Sequence, residues 1–286
     1  MSRAKIGVIG GSGLYKMEGL EVIEKKNLST PFGDPSDSFI IGSLDGADVV
    51  FLPRHGTGHR ILPSELNFRA NIYGMKELGA EWIISVSAVG SMKENLYPGD
   101  IVIPDQFFDR TKKRINTFFG DGVVAHVPFA DPVCPDLSSI LFKAGEKIGA
   151  KIHKGGTYLC IEGPQFSTRA ESKTYRAWGV DIIGMTNIPE AKLAREAEIC
   201  YATVALVTDF DCWHESEEDV KIDAVLEIMN KNINTAKSII KKAVKMISDK
   251  RTCICSEALK HTILTSKESI PEKTKKNLEI IIGKYI

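Results

Sequence analysis

The sequence carries no net charge, no long apolar run and almost no glutamine, and each shortage closes off a class of protein. Its 37 basic and 37 acidic residues cancel, so no whole-chain field draws it to nucleic acid or to an anionic membrane. Its apolar runs stop well short of the roughly 20 residues of a membrane-crossing helix. Met1-Ser-Arg-Ala-Lys5 leads directly into a strand-like run and not into the apolar core of a signal peptide. A cytoplasmic protein is expected. Gln106 and Gln165 are its only glutamines, set against abundant Lys and Glu, a bias that leans toward a heat-adapted source.

Metal and dinucleotide signatures are missing too. Cys134, Cys160, Cys200, Cys212, Cys253 and Cys255 include no Cys-x-x-Cys pair and lie too far apart for a zinc site, so no metal is expected. Packed thiols are the default. Cys253-Ile-Cys255 leaves open a small, strained disulfide, more favoured in a hyperthermophile than in a mesophilic cytosol. Gly10-Gly-Ser12-Gly13 invites a dinucleotide-binding reading, but counting from Gly11 the third glycine of Gly-x-Gly-x-x-Gly falls on Lys16. No Walker-type Gly-Lys-Ser/Thr occurs either.

What is present is an alternation of strand-like and helical runs in 286 residues that are 43% hydrophobic, enough for one sizeable core. Lys5–Gly10, two runs within Ser38–Pro53 joined at Asp45-Gly46, Trp82–Val86, Ile101–Ile103, Tyr158–Ile161, Asp181–Ile183 and Tyr201–Thr208 read as strands. Ser64–Gly79 and Asp136–Gly149 read as helices, and Thr168-Arg-Ala-Glu171 as a capping box opening a third toward Gly179. From Asp223 to Lys250, Val225, Met229, Ile233, Ala236, Ile240 and Ile247 share one face of a long amphipathic helix. No repeat or linker divides the chain. The expectation is one α/β domain over residues 1–250, a central mixed β-sheet flanked by helices, followed by a tail, 251–286, packed on it or at a subunit interface. The Lys-rich stretch Glu272–Lys276 reads as a solvated face.

Three strand ends carry anion-binding chemistry. Ser12 and its glycines offer a hydroxyl and converging N–H groups. Pro53-Arg54-His55-Gly56 offers a forked pair of charged donors. Ser87-Ala-Val-Gly-Ser91 offers a hydroxyl and unhindered backbone. If the strands are parallel, all three open on one crevice, where a phosphate fits. Ala205–Thr208 delivers Asp209-Phe-Asp211 to a strand end as well. A carboxyl group there can share a proton with a heterocyclic nitrogen while its neighbour orders an exocyclic amine or a water, which suits an aminopurine. An ordinary Asp-rich strand end reads the same way in isolation.

Ile9-Gly-Gly-Ser-Gly-Leu14, Arg54-His-Gly56, His59–Asn71, Ser87–Ser91, Glu162-Gly-Pro-Gln-Phe-Ser-Thr-Arg-Ala-Glu171, Gly184-Met-Thr186 and Thr208-Asp-Phe-Asp211 together resemble the trimeric purine nucleoside phosphorylase family, in its methylthioadenosine-cleaving branch. The resemblance spans residues 5 to 250. It implies that Ser12, Arg54, His55, Ser87, the Ala88 backbone and Thr186 bind phosphate. It implies that Met185 meets the ribose hydroxyls through its backbone, that Phe166 packs on the nucleoside, and that His59 lies near it. Asp209 and Asp211 would read the adenine edge and act in catalysis, while Val220, Ile222 and Val225 would line an apolar 5′ pocket. His126 would be lent by a neighbouring subunit of a homotrimer or dimer of trimers. The resemblance implies no cofactor, inorganic phosphate being a co-substrate. Glu171 fits a helix cap better than a catalytic acid. Rival readings are a phosphorylase for adenosine or 6-oxopurine nucleosides, a hydrolytic nucleosidase, and a non-catalytic nucleoside-binding module.

Overall fold

A computed structural model describes residues 5–11, 13–214, 222–248 and 250–286, except the side chains of residues 222–226. The chain opens with strand β1 (Ile6–Gly10), whose residues are all buried, then β2 (Leu20–Lys26), β3 (Phe39–Leu44) and β4 (Ala47–Pro53). Asp45 and Gly46, with φ of 50° and 86°, make the tight turn that glycine and aspartate favour between antiparallel strands. Helix α1 (Phe68–Glu77) leads to the long strand β5 (Trp82–Ser91), then β6 (Ile101–Ile103), β7 (Gln106–Arg110), helix α2 (Pro135–Lys147), β8 (Ile152–Lys154) and β9 (Thr157–Ile161). Helix α3 (Arg169–Ala177), β10 (Ile182–Gly184), α4 (Asn187–Glu196), β11 (Cys200–Asp209) and α5 (Ile222–Val244) follow, and two short helices, α6 (Glu272–Asn277) and α7 (Glu279–Ile282), end the chain.

The sheet is mixed. One path through it runs β2-β3-β4-β1-β5-β10-β9-β7, and β11 lies on the other side of β5 with β6 and β8 beyond it. Strands β4, β1, β5 and β11 are mutually parallel, so their C-terminal ends meet at one edge. That edge is where the crevice of an α/β sheet forms. Beyond Ser85, β5 loses β1 as a partner, and Gly90 and Ser91 pair antiparallel with β10 instead.

Strand β11 shows why the run Tyr201–Thr208 reads as continuous apolar sequence. Side chains alternate between faces: Tyr201, Ala205 and Val207 join α1, α4 and α7 residues in one core, while Ala202, Val204 and Leu206 join α2 and α5 residues in the other. Helices therefore cover both faces of the sheet, as apolarity on both faces of a strand requires. Within the tail, Leu259, Ile270, Leu278, Ile281 and Ile282 are buried in the first core, and Cys255 is buried in the second.

Some elements differ from the sequence expectation for identifiable reasons. Ser87–Ser91, expected as a loop after a strand, is the second half of β5; its small residues pack where β10 and β11 approach closely. Helix α1 starts at Phe68, because the Asn67 side chain accepts from Ala70 N–H and caps it there. Strand β2 and helix α4 were not anticipated: β2 lies at the sheet edge with Val22 and Ile23 exposed, and α4 carries Pro189 two residues past its start. The capping box at Thr168 and Glu171 forms with both of its hydrogen bonds.

The cysteines, read from sequence as too far apart for a zinc site, are not all dispersed in the fold. The sulfurs of Cys134, Cys200, Cys253 and Cys255 lie within 4.8 Å of one another. Local spacing cannot reveal them because the start of α2, the start of β11 and the tail each supply part of the set.

Candidate active site

A cleft of about 370 Å³ opens at the shared strand edge, with Gly11, Arg54, Val86–Gly90 and Thr208–Asp209 on its sheet side. Met185, Thr186, Phe166, His59, Asp211 and Met229 complete most of its wall. Parallel register brings the ends of β1, β4, β5 and β11 together, so residues far apart in sequence share one space.

Arg54 follows β4 and is 2% exposed. Its fork faces inward: Nε donates to Glu190 Oε2 at 2.8 Å and Nη2 to Glu190 Oε1 at 2.9 Å. Nη2 also contacts Ser85 Oγ at 2.7 Å and the Ile9 carbonyl at 3.2 Å, while Nη1 donates to the Val86 carbonyl at 2.8 Å. The forked pair of donors expected for an anion is thus spent on Glu190, and Nη1 keeps one N–H in hand. Burial works against the Arg54 charge, but the Glu190 carboxylate more than offsets it and raises the guanidinium above its ordinary value. Glu190, fully buried on α4, also accepts from Ser85 Oγ and the Tyr201 hydroxyl, each at 2.9 Å. Sequence reading missed it. The available signal was chemical: an arginine that is to be buried needs a carboxylate.

His55 is buried beside that charge. Burial, aided by Arg54, pushes its imidazole down to about 4. Nδ1 lies 2.9 Å from the Ile61 carbonyl, an acceptor only, so Nδ1 carries the proton and Nε2 presents a lone pair. The ring stacks on His59, centroids 4.4 Å apart.

Ser87 Oγ lies 2.9 Å from Thr186 Oγ1 and 3.0 Å from the Tyr158 hydroxyl. Ser87 and Thr186 line the cleft and can turn their hydroxyls as donors toward one anion, with the Tyr158 hydroxyl behind them. Tyr158, read from sequence only as part of a strand, is fully buried, and burial pushes it up to about 12, so it stays protonated. A Cβ at Gly184 would stand 2.0 Å from its hydroxyl; glycine is required for β10 to pass.

Asp209 ends β11. Its Oδ2 accepts from Thr208 Oγ1 and its Oδ1 from the Asp211 N–H, each at 2.7 Å. A Cβ at Gly90 would lie 2.9 Å from Oδ1, so the bare backbone of β5 makes room for this carboxyl group. Burial pushes Asp211 above the usual aspartate range, and the neighbouring Asp209 charge adds to the effect.

Met185 and Phe166 flank the same space. The Met185 carbonyl accepts from Arg114 Nη1 at 2.7 Å, which fixes the backbone of this wall. Arg114, also missed, ties the carbonyls of Glu162, Met185 and Ile188 together at 2.7 Å each and so shapes that wall. Phe166 is 79% exposed at the rim. His126 does not line the cleft; it is exposed beside the tail, its N–H bonded to the Thr262 carbonyl. Ser12 and Val220 lie outside the described residues. Ile222 and Val225 lie on α5, of which Met229, one turn on, reaches the cleft.

Comparisons with known proteins agree with this geometry. Residues 5–245 match the model of the phosphorylase superfamily. The S-methyl-5′-thioadenosine phosphorylase of Geobacter sulfurreducens is 63% identical over 98% of this chain and 99% of its own. A methylthioadenosine phosphorylase from an antarctic soil metagenomic library superposes with a TM-score of 0.95 at 52% identity, covering 98% of this chain and 99% of its own. The Schistosoma mansoni methylthioadenosine phosphorylase, in complex with tubercidin, does so with a TM-score of 0.82 at 38% identity, over 90% of this chain and 96% of its own.

Proposed function

The chain belongs to the phosphorylase superfamily, and from that premise we propose that it cleaves the N-glycosidic bond of 5′-methylthioadenosine with inorganic phosphate, giving adenine and 5-methylthioribose 1-phosphate. The observation that carries this reading is that Arg54, Ser87 and Thr186 line the same cleft as the acidic pair Asp209 and Asp211.

In this reading phosphate sits among the Arg54 Nη1–H, the hydroxyls of Ser12, Ser87 and Thr186, the Ala88 backbone and His55. Glu190 offsets most of the arginine charge, so neutral donors supply much of the hold. His55, neutral with its Nε2 lone pair exposed, accepts from a protonated phosphate oxygen and favours hydrogen phosphate over an anion without a proton. A phosphate oxygen attacks C1′ as the bond to N9 breaks, its negative charge stabilising the oxocarbenium-like sugar. The electron pair passes to the purine, and Asp209, in its protonated form, supplies a proton at N7 while Asp211 orders the 6-amino group or a water. Met185 N–H and His59 hold the sugar, Phe166 packs on the nucleoside, and Val220, Ile222 and Val225 receive the methylthio group. No step calls for an organic cofactor. Among the described residues no helix is long and apolar enough to cross a membrane, and we take the enzyme to be cytoplasmic.

The deciding experiment follows adenine release from methylthioadenosine with and without phosphate. Release is expected to require phosphate and to yield a sugar 1-phosphate; equal rates in phosphate-free buffer would assign the cleft to hydrolysis.

We further propose a homotrimer, or a dimer of trimers, in which His126 completes a neighbour's cleft. An exposed histidine away from its own cleft and an exposed Phe166 at the rim support this. Chains carrying His126→Ala, mixed and reassembled with chains carrying Asp209→Ala, are expected to regain activity that neither has alone, because mixed trimers contain some clefts with both residues intact. No gain on mixing, or a fully active monomer by light scattering, would refute the shared site.

A further inference from the structure

Four of the six cysteines gather far from the cleft. Cys200 opens β11 and Asp209 closes it, ten strand residues in all, or roughly 30 Å at the rise of an extended chain. Cys134 precedes α2, and its N–H bonds to the Tyr201 carbonyl at 2.9 Å, so the start of that helix is held against β11. Cys253 and Cys255 flank Ile254 where the tail returns to the same place, Cys255 lying in a short 3-10 turn, Ile254–Glu257.

The sulfurs are arranged around a point. All lie within 4.8 Å of one another, with Cys253 Sγ 3.3 Å from Cys200 Sγ and 3.6 Å from Cys134 Sγ. Tetrahedral zinc with bonds of about 2.3 Å spaces its sulfurs by about 3.8 Å, which falls inside that range. A disulfide needs one partner at about 2.05 Å, whereas Cys253 has two neighbours at nearly equal distance. Apolar packing accounts for a single buried thiol but gives no reason for four sulfurs from three chain segments to converge. Cys134 stands at the N-terminus of a thirteen-residue helix without a side-chain cap hydrogen bond, where the helix dipole favours negative charge.

We propose that Cys134, Cys200, Cys253 and Cys255 form a closed, tetrahedral four-thiolate site for zinc that staples the tail to the starts of β11 and α2. Soft sulfur donors select zinc over magnesium or calcium, and four protein ligands leave no position for substrate, so the role is structural. Binding is balanced: each of the four thiols loses its proton to solvent, four Zn–S bonds form, and no oxidant or reductant takes part.

The test uses the full chain, produced in zinc-supplemented medium under reducing conditions, desalted and assayed for metal by mass spectrometry. One zinc per chain is expected, and cobalt exchanged into the protein should give thiolate charge-transfer and tetrahedral visible bands. Cys253→Ser, at the half-exposed ligand, is expected to lower zinc retention at least about tenfold and to lower Tm, while methylthioadenosine turnover at moderate temperature is unchanged. Cys212→Ser, outside the cluster, should keep its zinc. Should Cys253→Ser fail to fold, the unaltered protein decides: titration with a mercurial thiol reagent should release zinc in step with four thiols. Metal-free protein after zinc exposure, whether with disulfides among these cysteines or with four free thiols, overturns the proposal.

Discussion

Asp209→Asn is expected to lower kcat/KM for methylthioadenosine at least about a hundredfold, the scale of losing a buried polar match and a proton donor together. The substitution suits the test because the local network can accept it. The amide oxygen takes the place of Oδ1 and receives the Asp211 N–H, now at 2.7 Å. The NH₂ takes the place of Oδ2, beside Thr208 Oγ1, which can accept as its own hydrogen turns to the Val89 carbonyl 3.2 Å away. The fold should therefore survive with Tm nearly unchanged. What changes is the face shown to the base. Adenine presents an acceptor at N7 and a donor at N6, and an amide can donate a hydrogen bond to N7 but has no acid proton to transfer to it. A 6-oxopurine presents two acceptors, so relative activity on inosine should rise. Asp211→Asn should have the smaller effect. Steady-state kinetics on both nucleosides decide the matter, and an unaltered preference for the 6-amino base would sink the assignment.

The second large effect is expected at Arg54. Arg54→Ala removes the partner of Glu190, whose carboxylate is fully buried. Breaking a buried ion pair from one side costs about 3–5 kcal/mol, so thermal unfolding should register the loss before any assay does. The phosphate KM should rise as well, by about tenfold or more, since a charge-assisted hydrogen bond is worth about 1.5–3 kcal/mol. Glu190→Gln separates the two contributions. It touches no substrate and leaves the guanidinium in place, so it should lower Tm with a smaller change in the phosphate KM. If Arg54→Ala kept both its Tm and its phosphate KM, the ion pair and the anion site would both be misassigned.

How far the sequence reveals this site depends on the range of the interaction involved. Strand ends could be read because buried parallel strands are short, apolar and closed by glycine, proline or a polar residue, as at Gly10, Pro53 and Asp209. Their meeting in one cleft follows from parallel pairing, which the alternation of strands and helices implies. Glu190, Ser85 and Tyr201 could not be read, because nothing local to Arg54 says which way its guanidinium points. Tyr158 was hidden differently: its ring belongs to the core and its hydroxyl alone reaches Ser87. Ser87–Ser91 misled in the opposite sense, since small residues that mark loops also mark a strand crowded by neighbours. The cysteines failed as a motif because zinc spacing rules describe ligands within one or two short loops, and this set draws on residues 134 to 255.

Strand β5 runs between β1 and β11, and its end is tied to β10. Its amides are therefore expected among the slowest in the protein to exchange with solvent, since opening any one requires neighbouring strands to part. Ser87 and Ala88 lie on that strand, whereas Phe166 and Met185 lie on connecting segments. Evolution can thus vary the parts of the cleft at different rates: the segments carrying Phe166 and Met185 can be exchanged to admit a new sugar substituent, while Ser87 and Ala88 change only with the central strand that carries them. A lineage of such proteins should diversify in the nucleoside it accepts long before it diversifies in the nucleophile it uses.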